Sequence, residues 1–189
     1  MKYKKNLITV LLLLCIYTTH AAKIFIPMDA ETQTNHLKAY GIAYAALQKG
    51  LQVDWLLNYK GGSFGLDQVD DIEKLCKIRG VTYEVMSDAQ YAGILNDIAN
   101  PDFNGDVIKL EKAPKIAVYT PPNKEPWDDA VTLVLSYAEI PYDKIYDDDV
   151  LAGNLPKYDW LHLHHEDFTG QYGKFWYGYR NTTWYQNDV

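Results

Sequence analysis

Lys23-Ile24-Phe25-Ile26-Pro27-Met28 and Leu51-Gln52-Val53-Asp54-Trp55-Leu56-Leu57 are two short apolar runs, and the segment between them decides how the fold is read. There Leu37, Tyr40, Tyr44 and Leu47 recur at three- and four-residue spacing behind Thr34 and Asn35, with Gly50 after them. This predicts a capped helix between two strands. Working outward, Asp67 is predicted to cap a second helix with Val69, Ile72, Leu75 and Cys76 on its inner stripe. Gly80 closes that helix before a strand over 81–86. Together these elements make one βαβαβ half.

Residues 87–114 read as a bridge, with a helix around 91–99 and a polar crossing through Asn100-Pro101 and Asn104-Gly105. A strand over 115–119 begins the second half. Pro126 opens a helix with Val131, Val134, Leu135 and Ala138 inside, and strands over 142–146 and 158–164 follow, joined by a short helix over 148–152. Apolar runs alternating with helix-period stretches predict an α/β fold with a doubly wound, mainly parallel sheet and helices on both faces. Asn58 to Gly65 falls between a strand and a helix start, but it matches neither a P-loop nor a G-x-G-x-x-G fingerprint, so it reads as a loop.

Near residue 1, Lys2, Lys4 and Lys5 precede an apolar run from Leu7 to Tyr17 and then Thr18-Thr19-His20-Ala21-Ala22. That order predicts a signal peptide over 1–21 and a secreted or periplasmic protein, with no transmembrane segment after cleavage. An α/β domain over 22–170 and an aromatic-rich tail over 171–189 complete the expected organisation. The whole chain has 189 residues with 18 Lys and Arg against 25 Asp and Glu. Without the leader's three lysines the basic residues number 15, and no basic stripe is present, which argues against nucleic acid as a partner. Cys15 leaves with the leader, so Cys76 has no partner for an internal disulfide.

Ligands of doubly wound sheets lie beyond the carboxyl ends of the strands. In this reading Asp29, Glu31, Thr120, His164, His165, Glu166 and Asp167 are the ligand-binding candidates, and the expected partner is a small molecule or a protein. His162 and His164 share one strand face at a spacing of two. With Glu166 they form a candidate site for a divalent metal, for which Asp29 or Glu31 is a further donor, and a metal-activated water makes a metal-dependent hydrolase the second reading. The same side chains also suit a hydrogen-bonded crevice rim. Cys76 falls on a helix stripe, and no G-x-C-x-G or G-x-S-x-G elbow occurs. Asp147-Asp148-Asp149 reads as a turn and helix cap. Tyr172, Phe175, Trp176, Tyr177, Tyr179, Trp184 and Tyr185 crowd the tail among Gly, Asn and Gln. They read as rings that pack on further polypeptide, or as stacking platforms for sugars or peptide.

The stretch Ile26-Pro27-Met28-Asp29-Ala30-Glu31 through Leu56, together with Tyr158-Asp159-Trp160-Leu161-His162-Leu163-His164-His165-Glu166-Asp167-Phe168-Thr169, resembles a group of exported bacterial proteins labelled "asparagine synthetase B". The resemblance runs from residue 22 to the end of the chain. It implies a class I glutamine amidotransferase-like, flavodoxin-like architecture and a longer protein of which this chain is an N-terminal portion. The label implies glutamine hydrolysis and asparagine synthesis, a third reading. Position 2 is Lys2 where such enzymes carry a nucleophilic Cys, and Gly61-Gly62-Ser63 lacks the Asp-Ser of an S-G-G-x-D-S ATP loop. The reading that the residues favour is an exported domain that binds a small ligand or partner at the strand ends without a nucleophile.

Overall fold

Ile24, Phe25 and Ile26 are all buried, so alternation along β1 (Ala22–Ile26) requires cover on both faces of the sheet. The computed structural model, which describes residues 22–120, 130–163 and 171–188, provides it. Helices α1 (His36–Gln48) and α2 (Asp70–Arg79) bury Ile42, Ala46, Ile72 and Cys76 against Ile24, Ile26, Phe64 and Leu66. On the opposite face α3 (Asp88–Ile98) brings Tyr91, Ile94, Leu95 and Ile98 to Phe25 and Leu56. Each fully buried large apolar side chain is worth about 1.5–3 kcal/mol, so this two-sided core is the main source of stability for the first unit. The caps are those that local chemistry favours. Asn35 accepts the Lys38 N–H at 3.3 Å, Ser87 accepts the Gln90 N–H at 3.3 Å, and Gly80 ends α2 at φ 65°.

The remaining strands of this unit are β2 (Val53–Leu57), β3 (Ser63–Asp67), β4 (Glu84–Ser87) and β5 (Asp106–Leu110). Their order is β4-β1-β3-β2-β5, and every neighbouring pair is antiparallel. This corrects the doubly wound, mainly parallel sheet expected from the periodicity. Asn58, Lys60, Gly61 and Gly62 all have positive φ, so the chain doubles back after Leu57 in a tight hairpin. The returning strand pairs with β2 and then with β1, filling the slot in which β1 and β2 would have been parallel neighbours. Strands β1 and β2 still run the same way, with β3 between them, and β3 and β4 run the same way, with β1 between them. These two interleaved crossovers form the β-α-β-β-α-β arrangement of split βαβ folds, extended here by α3 and β5.

Two contacts in this unit depend on glycine. Gly65 faces α3, and the Tyr91 ring lies over it with its hydroxyl donating to Asp54 Oδ2 at 2.9 Å; a Cβ on Gly65 would come within 2.0 Å of that hydroxyl oxygen. Gly41 on α1 admits the Ala138 carbonyl, whose oxygen would stand 1.8 Å from a Cβ. Tyr137–Ile140 belong to this first unit with 22–113. Glu139, at φ 58°, receives Lys38 Nζ at 2.6 Å and Arg79 Nη2 at 2.5 Å. At the border, β5 pairs with β2 alone among the described strands, and the Val107 N–H is donated to Asp106 Oδ1 at 2.7 Å.

The second unit comprises 114–120, 130–136, 141–163 and 171–188 among the described residues. Its elements are β6 (Ile116–Tyr119), α4 (Ala130–Ala138, whose last two residues belong to the first unit), β7 (Asp143–Ile145), α5 (Asp147–Leu151), a 3₁₀ turn (Leu155–Lys157) and β8 (Trp160–Leu163). Here the strands are parallel, in the order β7-β6-β8. The tail forms α6 (Gln171–Tyr179) and α7 (Thr183–Asp188), with the Phe175 ring 4.7 Å from Tyr179 and 6.1 Å from Trp184.

Candidate functional site

Of the predicted site residues, Asp29 and Glu31 belong to the first unit, in the loop after β1. Asp29 is held within that loop: its carboxylate accepts the Thr32 N–H at 3.0 Å and the Thr32 hydroxyl at 2.7 Å. The Thr32 hydroxyl lowers its pKa below the usual carboxylate value. Glu31 is exposed. Sequence reading passed over Gln33, which is buried. Its amide donates to Pro27 and Thr82 carbonyls at 3.0 and 3.2 Å and accepts the Thr82 N–H at 3.2 Å. A buried carboxamide satisfied by backbone fixes the loop geometry, and the sheet it adjoins is antiparallel, so the rule for parallel carboxyl ends does not reach Asp29.

That rule does reach the second unit. From β6 the chain crosses to β7 on one side and then returns to β8 on the other, so the connections diverge at the carboxyl edge around β6. Thr120 follows β6 there. It is 5% exposed, its N–H donates to the Ile145 carbonyl at 3.0 Å, and its hydroxyl makes no hydrogen bond among the described residues. His162 lies in β8 beside Val118, which is itself beside Lys144, so alternation puts His162 and Lys144 on one face and Tyr119, Ile145 and Leu163 on the other. His164, His165, Glu166 and Asp167 lie outside the described residues. The proposed His162, His164 and Glu166 metal set is therefore represented by His162 alone, and among the described residues no three His, Cys, Asp or Glu side chains converge as a metal site.

Sequence reading missed two tyrosines at this edge. Tyr119 closes β6 and Tyr146 follows β7; their rings lie 5.2 Å apart at 33°. The Tyr119 hydroxyl donates to Asp147 Oδ1. Asp149 has a structural role, accepting the Tyr146 N–H at 3.2 Å and the Asn154 amide at 3.1 Å. The signal that points to Thr120, a position at the carboxyl end of a parallel strand, applies equally to Tyr119 and Tyr146. A separate concavity of about 540 Å³ in the first unit is lined by Leu95, Ile98, Phe103 and Val107. Its polar groups are already used: Asn100 accepts the Asp102 N–H and Asp106 accepts the Val107 N–H. Nothing there converges on a ligand.

Cys76 is fully buried on α2, and burial pushes its thiol up to about 11. A buried thiol that stays protonated at neutral pH is a poor nucleophile. In the chain lacking residues 1–21, a disulfide reagent at pH 7 is expected to modify Cys76 about two orders of magnitude more slowly than it modifies the urea-unfolded chain. Rapid labelling of the native protein would refute this burial. No helix among the described residues is long and apolar enough to cross a membrane. No family model, curated protein or solved structure matches the chain.

Proposed function

We propose that this is an exported domain that binds a small polar ligand at the carboxyl edge of its three-stranded parallel sheet, without covalent catalysis by a cysteine. The observation that carries this reading is the diverging pair of connections around β6, with Thr120, a largely buried residue whose hydroxyl makes no hydrogen bond among the described residues, just past the end of that strand. Export rests on the leader-like order of residues 1–21. The likeness to the exported proteins labelled "asparagine synthetase B" supports the same placement. The chemistry of that label is disfavoured by the buried Cys76.

Isothermal titration of the mature chain against amino acids, short peptides and sugars tests the reading. One class is expected to bind, and Thr120→Val is expected to weaken it about fivefold or more, the usual effect of losing one ligand hydrogen bond, without lowering the melting temperature. Absence of binding across the panel, or binding indifferent to Thr120→Val, would count against this site.

A further inference from the structure

Asn104-Gly105 is the one Asn-Gly pair in the chain, and packing accounts for the glycine. A Cβ at position 105 would run into the Phe103 ring and lie 2.6 Å from the Leu57 carbonyl oxygen, so the turn that leads into β5 admits no side chain there. A glycine also leaves its backbone nitrogen unshielded beside the preceding carboxamide. Asn104 is exposed, and its side-chain amide makes no hydrogen bond among the described residues. The main chain is restrained instead. The Gly105 N–H donates to the Phe103 carbonyl at 2.9 Å, closing a three-residue turn, and the Asn58 amide donates to the Asn104 carbonyl at 2.6 Å. Both bonds grip the same peptide unit, and the first engages the nitrogen that faces reaction with the Asn104 side chain.

We propose that Asn104 is a deamidation site whose rate this doubly held peptide sets. When the turn opens locally, the Gly105 nitrogen bonds to the Asn104 side-chain carbonyl carbon, its proton passes through water to the departing amino group, and ammonia leaves as a five-membered imide closes. Water then opens one of the two imide C–N bonds and gives aspartate or isoaspartate, with no change in oxidation state. Isoaspartate adds one carbon to the main chain just before Asp106, whose pairing with Leu57 ends the β2–β5 ladder. Either product also adds a negative charge between Asp102 and Asp106 in the sequence. Modification should therefore loosen the first residues of β5.

The test is peptide mapping by mass spectrometry of the chain lacking residues 1–21 after incubation at pH 8, with an isoaspartate methyltransferase marking the rearranged product. Asn104 is expected to convert faster than the exposed Asn181, with isoaspartate as the main product. Asn58 has φ 60°, so Asn58→Gly removes the amide while keeping that backbone conformation accessible. This variant should speed Asn104 conversion about two- to tenfold, the usual effect of losing one hydrogen bond, and unfolding in urea should speed it about tenfold or more. Cys76 labelling that stays slow in the Asn58→Gly sample shows that the release is local. Conversion no faster than at Asn181, a rate indifferent to Asn58→Gly, or a gain in that variant matched by faster Cys76 labelling overturns the proposal.

Discussion

Gly65→Ala is expected to lower the stability of the first unit by about 3 kcal/mol, the upper end of what overpacking a filled core usually costs. The added methyl would lie 2.0 Å from Tyr91 Oη and 2.5 Å from two atoms of its ring, far inside van der Waals contact. Tyr91 cannot move aside cheaply, because it is 3% exposed, packed on Phe25 and Leu56, and hydrogen-bonded to Asp54. Burial and the Asp54 carboxylate both push its phenol pKa up, so the hydroxyl stays protonated as the donor at every physiological pH. A double-mutant cycle followed by urea denaturation checks the cause. Against Tyr91→Leu, which removes the distal ring atoms, Gly65→Ala should be neutral or stabilising, since alanine is the better strand residue by about 0.5–1 kcal/mol. Equal penalties in both backgrounds would mean that something other than Tyr91 requires the glycine.

A second substitution is expected to act with the opposite sign to helix propensity. Glycine inside a helix is worse than alanine by about 1 kcal/mol, yet Gly41→Ala should destabilise by about 2 kcal/mol or more. Its methyl would displace the Ala138 carbonyl and with it Glu139. Arg79 is 11% exposed at its side chain, and its Nε and Nη1 have no hydrogen-bond partner among the described residues, so losing Glu139 would leave a guanidinium with little compensation there. That loss outweighs the half-exposed carboxylate's own contribution, which solvent screens to about 1 kcal/mol or less.

Acid should narrow the difference. Lys38 and Arg79 hold the Glu139 pKa below its ordinary 4.5. The stability that this depression confers is present above about 4.5 and is lost as pH falls through the lower folded value. The Gly41→Ala penalty measured by urea at pH 7 should therefore shrink below pH 4. A pH-independent penalty would assign it to the backbone clash alone.

Local chemistry made most elements legible, while pairing stayed hidden. Asn35 and the apolar spacing behind it announced α1, Gly80 announced the end of α2, and the apolar strands around Val118 and Leu161 lie where alternation put them. The strand Ser63–Asp67 was concealed by glycine: Phe64 and Leu66 alternate correctly, but Gly61, Gly62 and Gly65, the last of which leaves room for Tyr91, give the segment the composition of a loop. Asp67, read as a helix cap, is instead the last residue of β3, opposite Lys23. Strand β5 was hidden in the same way, since Asp106 and Lys109 gave it the polarity of a crossing. At the candidate site Thr120 was legible from its place after an apolar strand, whereas the Tyr119–Asp147 contact joins residues 28 apart in sequence. No short-range pattern encodes such a pair.

The outer rim of β5 has a bearing on the protein's behaviour in concentrated solution. A bare strand border offers a ladder onto which another chain can template, the first step toward fibrils. Here the side chain of Asp106 occupies the Val107 amide hydrogen, and charged Asp106 and Lys109 stand along that border. An incoming strand would have to break that bond and bury both charges, so this side of the sheet carries its own terminator against runaway growth.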